Sequence, residues 1–169
     1  MSSPPSSFSV APAHSDADVQ CACDIMVEAA DWLAATGQPL WKRESLVPEK
    51  VCPLPEKGTI YLGHLAGHPI GAFLLFYEDP FFWPDALPGE ALYIHKLVIR
   101  RSAARTGLSG RLLEHAVGET RAAKRPFLRL DCAPRPKLCA FYESAGFRHH
   151  SDRILGAFTV RRYQRSVLP

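Results

Sequence analysis

Two periods of apolar recurrence divide this chain. Residues 8–13 alternate weakly, as a short strand would. Val19, Cys23, Met26, Ala30 and Leu33 then return at helical spacing, behind Ser15 and Asp18 set as a capping box, until Gly37 stops the run. Residues 38–55, rich in proline and holding Trp41, read as irregular, with a short helical stretch near 46–51. Residues 59–65 and 69–77 form a predicted hairpin across Ala66-Gly67-His68. Residues 78–90 carry Pro80, Pro84 and Pro88 around Phe81, Phe82 and Trp83, and read as a loop.

The second half opens with a buried-looking strand over residues 91–100 and a Gly-containing loop over 101–110. An amphipathic helix follows, with Leu108, Leu112, Ala116, Val117 and Thr120 along one side. Residues 127–131 make a further strand and 134–145 a short helix. Residues 147–149 and 157–163 are predicted closing strands, separated by 151–156. The order is that of an α/β (α+β) fold. A mixed, mostly antiparallel sheet of six to seven strands is flanked by about four helices, with a crossover helix between the fourth and fifth strands.

At 169 residues the chain is long enough to bury one core, so residues 8–169 are expected to form a single domain after a flexible tail over 1–7. A net charge of +3, without a long basic run, zinc-finger spacing or an aromatic RNA-binding signature, argues against nucleic acid. The five cysteines (Cys21, Cys23, Cys52, Cys132 and Cys139) are odd in number and lack paired metal-ligand spacing. They are expected to be free thiols in a reducing compartment, with no metal site. The first nine residues lack the basic and apolar regions of a signal peptide, and no apolar run reaches membrane-spanning length. The expectation is a cytoplasmic protein without a membrane partner.

Chemistry concentrates in residues 91–147. Alternation through 92–99 would put Tyr93, His95 and Leu97 on one face and Leu92, Ile94, Lys96 and Val98 on the other. The loop then delivers Arg105, Thr106, Gly107, Leu108, Ser109 and Gly110 to a helix start, amid Arg100, Arg101 and Arg111. Unpaired N–H groups, a helix dipole and basic side chains together suit a phosphate group. Neither a Walker loop nor a dinucleotide fingerprint is present. The following helix ends in Phe141-Tyr142-Glu143-Ser144-Ala145-Gly146-Phe147, with Gly146 at its stop.

In order and spacing, the strand, the basic Gly loop and the Phe-Tyr-Glu-x-x-Gly-Phe run closely resemble the GCN5-related N-acetyltransferase (GNAT) superfamily, most strongly over residues 93–147. The resemblance implies splayed fourth and fifth strands that admit acetyl-CoA. The backbones of Leu97, Val98 and Ile99 would pair with its pantetheine arm like an added strand. The N–H groups of Arg105, Thr106, Gly107, Leu108, Ser109 and Gly110 would hold the pyrophosphate, with Arg105 and Arg111 adding charge. Tyr142 matches the tyrosine that protonates the departing thiolate, and the Val98 N–H matches the oxyanion donor. His95 is the first candidate for the base, with Tyr93 second.

Ala104 and Ser109 depart from the family's loop pattern, and Arg135 stands where asparagine is frequent. Phe82 and Trp83, with Trp41 and Tyr93, are expected to line the acceptor site, and Glu78, Asp79, Asp85 and Glu90 to attract a cationic amine to it. The expected activity is direct acetyl transfer from acetyl-CoA to an amine of a small molecule or peptide. The alternative is a non-catalytic acyl-CoA sensor or interaction module. Pairing through C-terminal strands would make a homodimer.

Overall fold

The computed structural model describes residues 7–168. The expected tail falls, apart from Ser7, outside the described residues. Among these, seven strands form one mixed sheet in the order β1-β2-β3-β4-β5-β7-β6, accompanied by four α-helices. The chain separates into two compact units, residues 7–75 with 96–115 and residues 76–95 with 116–168.

The first unit holds β1 (Phe8–Pro12), α1 (Asp16–Ala35), α2 (Pro48–Val51), β2 (Gly58–Leu65) and most of β3 (His68–Phe76). It also takes in the end of β4 (Ala91–Ile99) and the start of α3 (Leu108–Ala122). The expected capping box is present: Ser15 Oγ accepts the Asp18 N–H at 3.1 Å, and Asp18 Oδ2 accepts the Ser15 N–H at 3.0 Å. Helix α1 buries Cys23, Met26 and Ala30 of the face that the periodicity marks, leaves Val19 and Leu33 half-buried, and buries Ala22 and Ile25 besides. β1 lies antiparallel to β2 with Val10 opposite Gly63.

Gly63 and Gly71 leave room where the start of α3 meets this sheet. A Cβ on Gly63 would stand 2.5 Å from Leu112 Cδ2, and one on Gly71 2.7 Å from Leu112 Cδ1. The fully buried Leu112 therefore rests directly on strand backbone. One such leucine is worth about 1.5–3 kcal/mol of burial.

The second unit holds the start of β4, the rest of α3, β5 (Phe127–Cys132), α4 (Pro136–Ser144), β6 (Arg148–Leu155) and β7 (Phe158–Ser166). β5 pairs in parallel with β4, Leu92 opposite Leu128, as the crossover through α3 requires. On its other side β5 pairs antiparallel with β7, Leu130 opposite Tyr163.

The connection expected over residues 151–156 is instead strand. β6 continues to Leu155 and turns at Gly156, whose φ is +61°. It occupies the end of the sheet and exposes Ile154 at 77%, so it carries no apolar alternation by which to be recognised. No helix among the described residues is long and apolar enough to cross a membrane.

Candidate active site

The loop before α3 is built by backbone conformation. Arg105 and Gly107 both take left-handed φ, +63° and +78°, around Thr106. The Thr106 hydroxyl donates to the Ala103 carbonyl and pins the turn. Helix α3 begins at Leu108, so Gly110 lies in its first turn and not in the loop. The first helical bond runs from the Arg111 N–H to the Gly107 carbonyl at 3.3 Å, and the N–H groups ahead of it are the orphan donors of a helix start. Nothing lies within 4 Å of the position a Gly107 Cβ would take. Successive N–H groups in such a turn form an anion-binding concavity. The pyrophosphate expected here fits it: exposed donors, open space and no acidic side chain in the loop.

Three of the nearby arginines are engaged in packing. Arg100 pairs with Glu28 at 2.7 Å, Arg101 lies 3.8 Å over the Trp32 ring, and Arg111 lies 4.1 Å over Phe8. Arg105 is exposed in the loop. Leu108 buries against Ile70 and Ala103, which anchors the helix start.

Strict alternation along β4 breaks at Lys96, whose φ of +51° costs about 1–2 kcal/mol for a residue with a Cβ. The faces assigned to Tyr93, His95 and Leu97 therefore do not continue past that point. Lys96 Nζ stands 5.0 Å over the ring of Trp41, within the same unit. Of the residues expected along the pantetheine, Val98 is buried, while Leu97 and Ile99 are half-buried.

In the second unit Phe82, Trp83, Tyr93 and His95 come together. His95 Nε2 lies 2.9 Å from Asp79 Oδ2, and Nδ1 lies 3.7 Å from Asp131 Oδ1. Phe76 meets the imidazole edge-on at 5.2 Å, and Phe82 lies against it at 5.9 Å. Trp83 is buried between the guanidiniums of Arg129 and Arg162, each 4.6 Å from its ring. Phe81 is the member of the aromatic triplet left in solvent. A cleft of about 130 Å³ is lined by Tyr77, Glu78, Asp79, Trp83, Leu87 and Tyr93, among others.

The acidic residues of this loop do not act as one attracting group. Asp85 is bound by Arg162 and Glu90 by Arg129, and these bonds hold both carboxyls below their ordinary values. Glu78 and Asp79 line the cleft. Sequence reasoning missed Asp131; its one signal was a carboxylate in a strand interior, where aspartate is depleted.

Tyr142 packs against Phe141, Phe147 and Tyr163. Burial, reinforced by Cys132 and Asp131, pushes its phenol well above the usual range, so the hydroxyl stays protonated. Burial likewise raises Tyr93 and argues against that residue as a base.

Residues 83–158 match the family model described as the acetyltransferase (GNAT) domain. The uncharacterized N-acetyltransferase YesJ of Bacillus subtilis (strain 168) is 26% identical over 140 residues, covering 77% of this chain and 76% of that protein. Among solved structures, a GNAT-family acetyltransferase from Listeria monocytogenes 4b F2365 superposes with a TM-score of 0.72 at 23% identity, over 93% and 94% of the two chains. A GNAT-family acetyltransferase from Elizabethkingia anophelis with acetyl-CoA bound gives 0.67 at 15% identity, over 94% and 97%. At these identities the structural likeness is one of fold.

Proposed function

We propose that this chain, which matches the GNAT acetyltransferase domain over residues 83–158, is a member of the GCN5-related N-acetyltransferase superfamily and moves the acetyl group of acetyl-CoA to an amine of a small molecule or peptide, by direct attack in a ternary complex. Residues 8–169 act in this as one catalytic domain. The observation that carries the reading is the Arg105–Gly107 turn at the head of α3, with left-handed φ at Arg105 and Gly107 and open space at the Gly107 Cβ position.

The thioester supplies an activated acyl carbon; the protein supplies position and proton management. The N–H groups of Arg105–Gly110 bind the pyrophosphate, with Arg105 and Arg111 adding positive charge. The backbones of Leu97, Val98 and Ile99 align the pantetheine, and the Val98 N–H faces the acetyl oxygen. His95 takes the acceptor's proton, and Tyr142, held protonated by burial, donates to the departing sulfur. Phe82, Trp83 and Tyr93 bound the acceptor site. Free thiols at all five cysteines suit a reducing compartment such as the cytoplasm.

Calorimetric titration with acetyl-CoA and with CoA, followed by thiol release across a panel of amines, tests the reading. Micromolar binding with turnover is expected. Binding without turnover on any amine would identify a sensor, and no binding at millimolar ligand would remove the cofactor altogether.

A further inference from the structure

Asp79 uses its two carboxylate oxygens differently. Oδ1 accepts the Phe82 N–H at 3.1 Å, while the Asp79 carbonyl accepts the Trp83 N–H at 2.8 Å, so the turn that Asp79 begins also sets the angle of its carboxylate. Oδ2 is thereby presented to His95 Nε2 at 2.9 Å. On the far side of the ring, Nδ1 stands 3.7 Å from Asp131 Oδ1, beyond hydrogen-bond reach. Phe76 and Phe82 close on the ring and restrict its rotation. A carboxylate can only accept, so the hydrogen of the neutral imidazole resides on Nε2 and the lone pair on Nδ1.

We propose that Asp79 is a positioning residue that fixes His95 as the Nε2–H tautomer, making Nδ1 the atom that takes the acceptor amine's proton, with Asp131 steadying the imidazolium that results. The inference rests on His95 being the base. Asp131 Oδ1 is closed off from solvent, so it serves the ring as a fixed negative charge at 3.7 Å and not as a contact for the amine. In the step, the ammonium gives a proton to Nδ1 and the freed pair on nitrogen bonds to the acetyl carbon. The carbon–sulfur bond breaks with its electrons on sulfur, which takes the Tyr142 proton, and the second proton that the nitrogen sheds on becoming an amide restores the tyrosine. The new positive charge then has Asp79 bound at Nε2 and Asp131 beside Nδ1.

The isosteric change Asp79→Asn tests this sharply. The Phe82 N–H needs an acceptor, so the asparagine keeps its oxygen there and turns its NH₂ toward His95. An NH₂ can only donate, so Nε2 must accept and the ring hydrogen moves to Nδ1. The turn survives and the lone pair at Nδ1 is lost.

The experiment combines ring ¹⁵N NMR of histidine-labelled protein, with His95 assigned from the His95→Ala spectrum, and steady-state kinetics. Wild type is expected to show the Nε2–H pattern for neutral His95, and Asp79→Asn the Nδ1–H pattern. The variant's kcat should fall about a hundredfold or more, with the KM for amine within about twofold. Asp131→Asn should keep the wild-type tautomer and lower kcat. An Asp79→Asn enzyme with unchanged tautomer or unchanged kcat, beside an inactive His95→Ala, overturns the inference and leaves the base assignment standing. Full turnover in His95→Ala overturns both.

Discussion

Replacing Gly71 by alanine tests how tightly the start of α3 is seated. The added Cβ would lie 2.7 Å from Leu112 Cδ1 and 2.9 Å from the Val98 carbonyl oxygen, where ordinary contact begins near 3.4 Å. Leu112 has little room to retreat, because it is fully buried and its other methyl already fills the space over Gly63. Relief must come from shifting the helix start or the β4 backbone. Overpacking of this kind costs about 1–3 kcal/mol, against a gain of about 0.4–1 kcal/mol from a less flexible unfolded chain. The net loss of about 1–2 kcal/mol corresponds to a Tm lower by roughly 2–8 °C in a chain of this size.

Val98 is also assigned to the pantetheine arm, so acetyl-CoA affinity should weaken severalfold. Differential scanning calorimetry and titration with acetyl-CoA read both effects. Gly118→Ala is the control: it sits on the exposed side of α3 with nothing within 4 Å. It should raise Tm, since alanine is about 0.8–1 kcal/mol better than glycine in a helix. A Gly71→Ala protein as stable as wild type would mean that Leu112 and β4 yield freely, and the account of the helix seat would fail.

Gly107→Glu should fold, since its Cβ meets open space and the left-handed φ costs only about 1–2 kcal/mol; its CoA binding should vanish, and undiminished affinity in calorimetry would refute the loop assignment. Tyr142→Phe should lower turnover by about one to two orders of magnitude with CoA affinity unchanged; equal loss of both would make the tyrosine a packing residue. Asp85 and Glu90 have depressed carboxyl pKa values through Arg162 and Arg129. Their contribution is present above the ordinary carboxylate range and lost as pH falls through the depressed values, because the unfolded chain takes up protons first. Urea midpoints measured across about pH 3–6 should fall toward acid, less steeply in Glu90→Gln; parallel curves would disprove the linkage.

Local features of this chain were legible and distant pairings were not. The capping box at Ser15 and Asp18 spans three residues, and the buried face of α1 repeats within a turn or two, so both can be read without a fold. The crossover between β4 and β5 follows from a long amphipathic helix between two apolar runs. Lys96 gives no such signal: nothing about a lysine in an apolar run announces a left-handed backbone. The loop acids show the same limit. Asp85 and Glu90 look like free negative charge until β5 and β7 bring Arg129 and Arg162 to them. His95 stood out by residue type and position on its strand, whereas its partners Asp79 and Asp131 came from elements 16 residues before and 36 after it.

The aromatic loop is fastened along its length. Asp79 ties its beginning, Asp85 binds Arg162 on β7, and Glu90 binds Arg129 on β5 while also accepting the Leu87 N–H at 3.1 Å. Trp83 fills the space between the two guanidiniums. Opening this segment would break two ion pairs and expose an indole together, so it forms a wall and not a lid. The hydrogen-bonded amides of Phe82, Trp83, Ala86, Leu87 and Glu90 should exchange with solvent more slowly than the exposed amides of the same segment. For the acceptor site proposed here, that would mean selection by fit to a preformed shape, with arrival timed by diffusion rather than by loop motion.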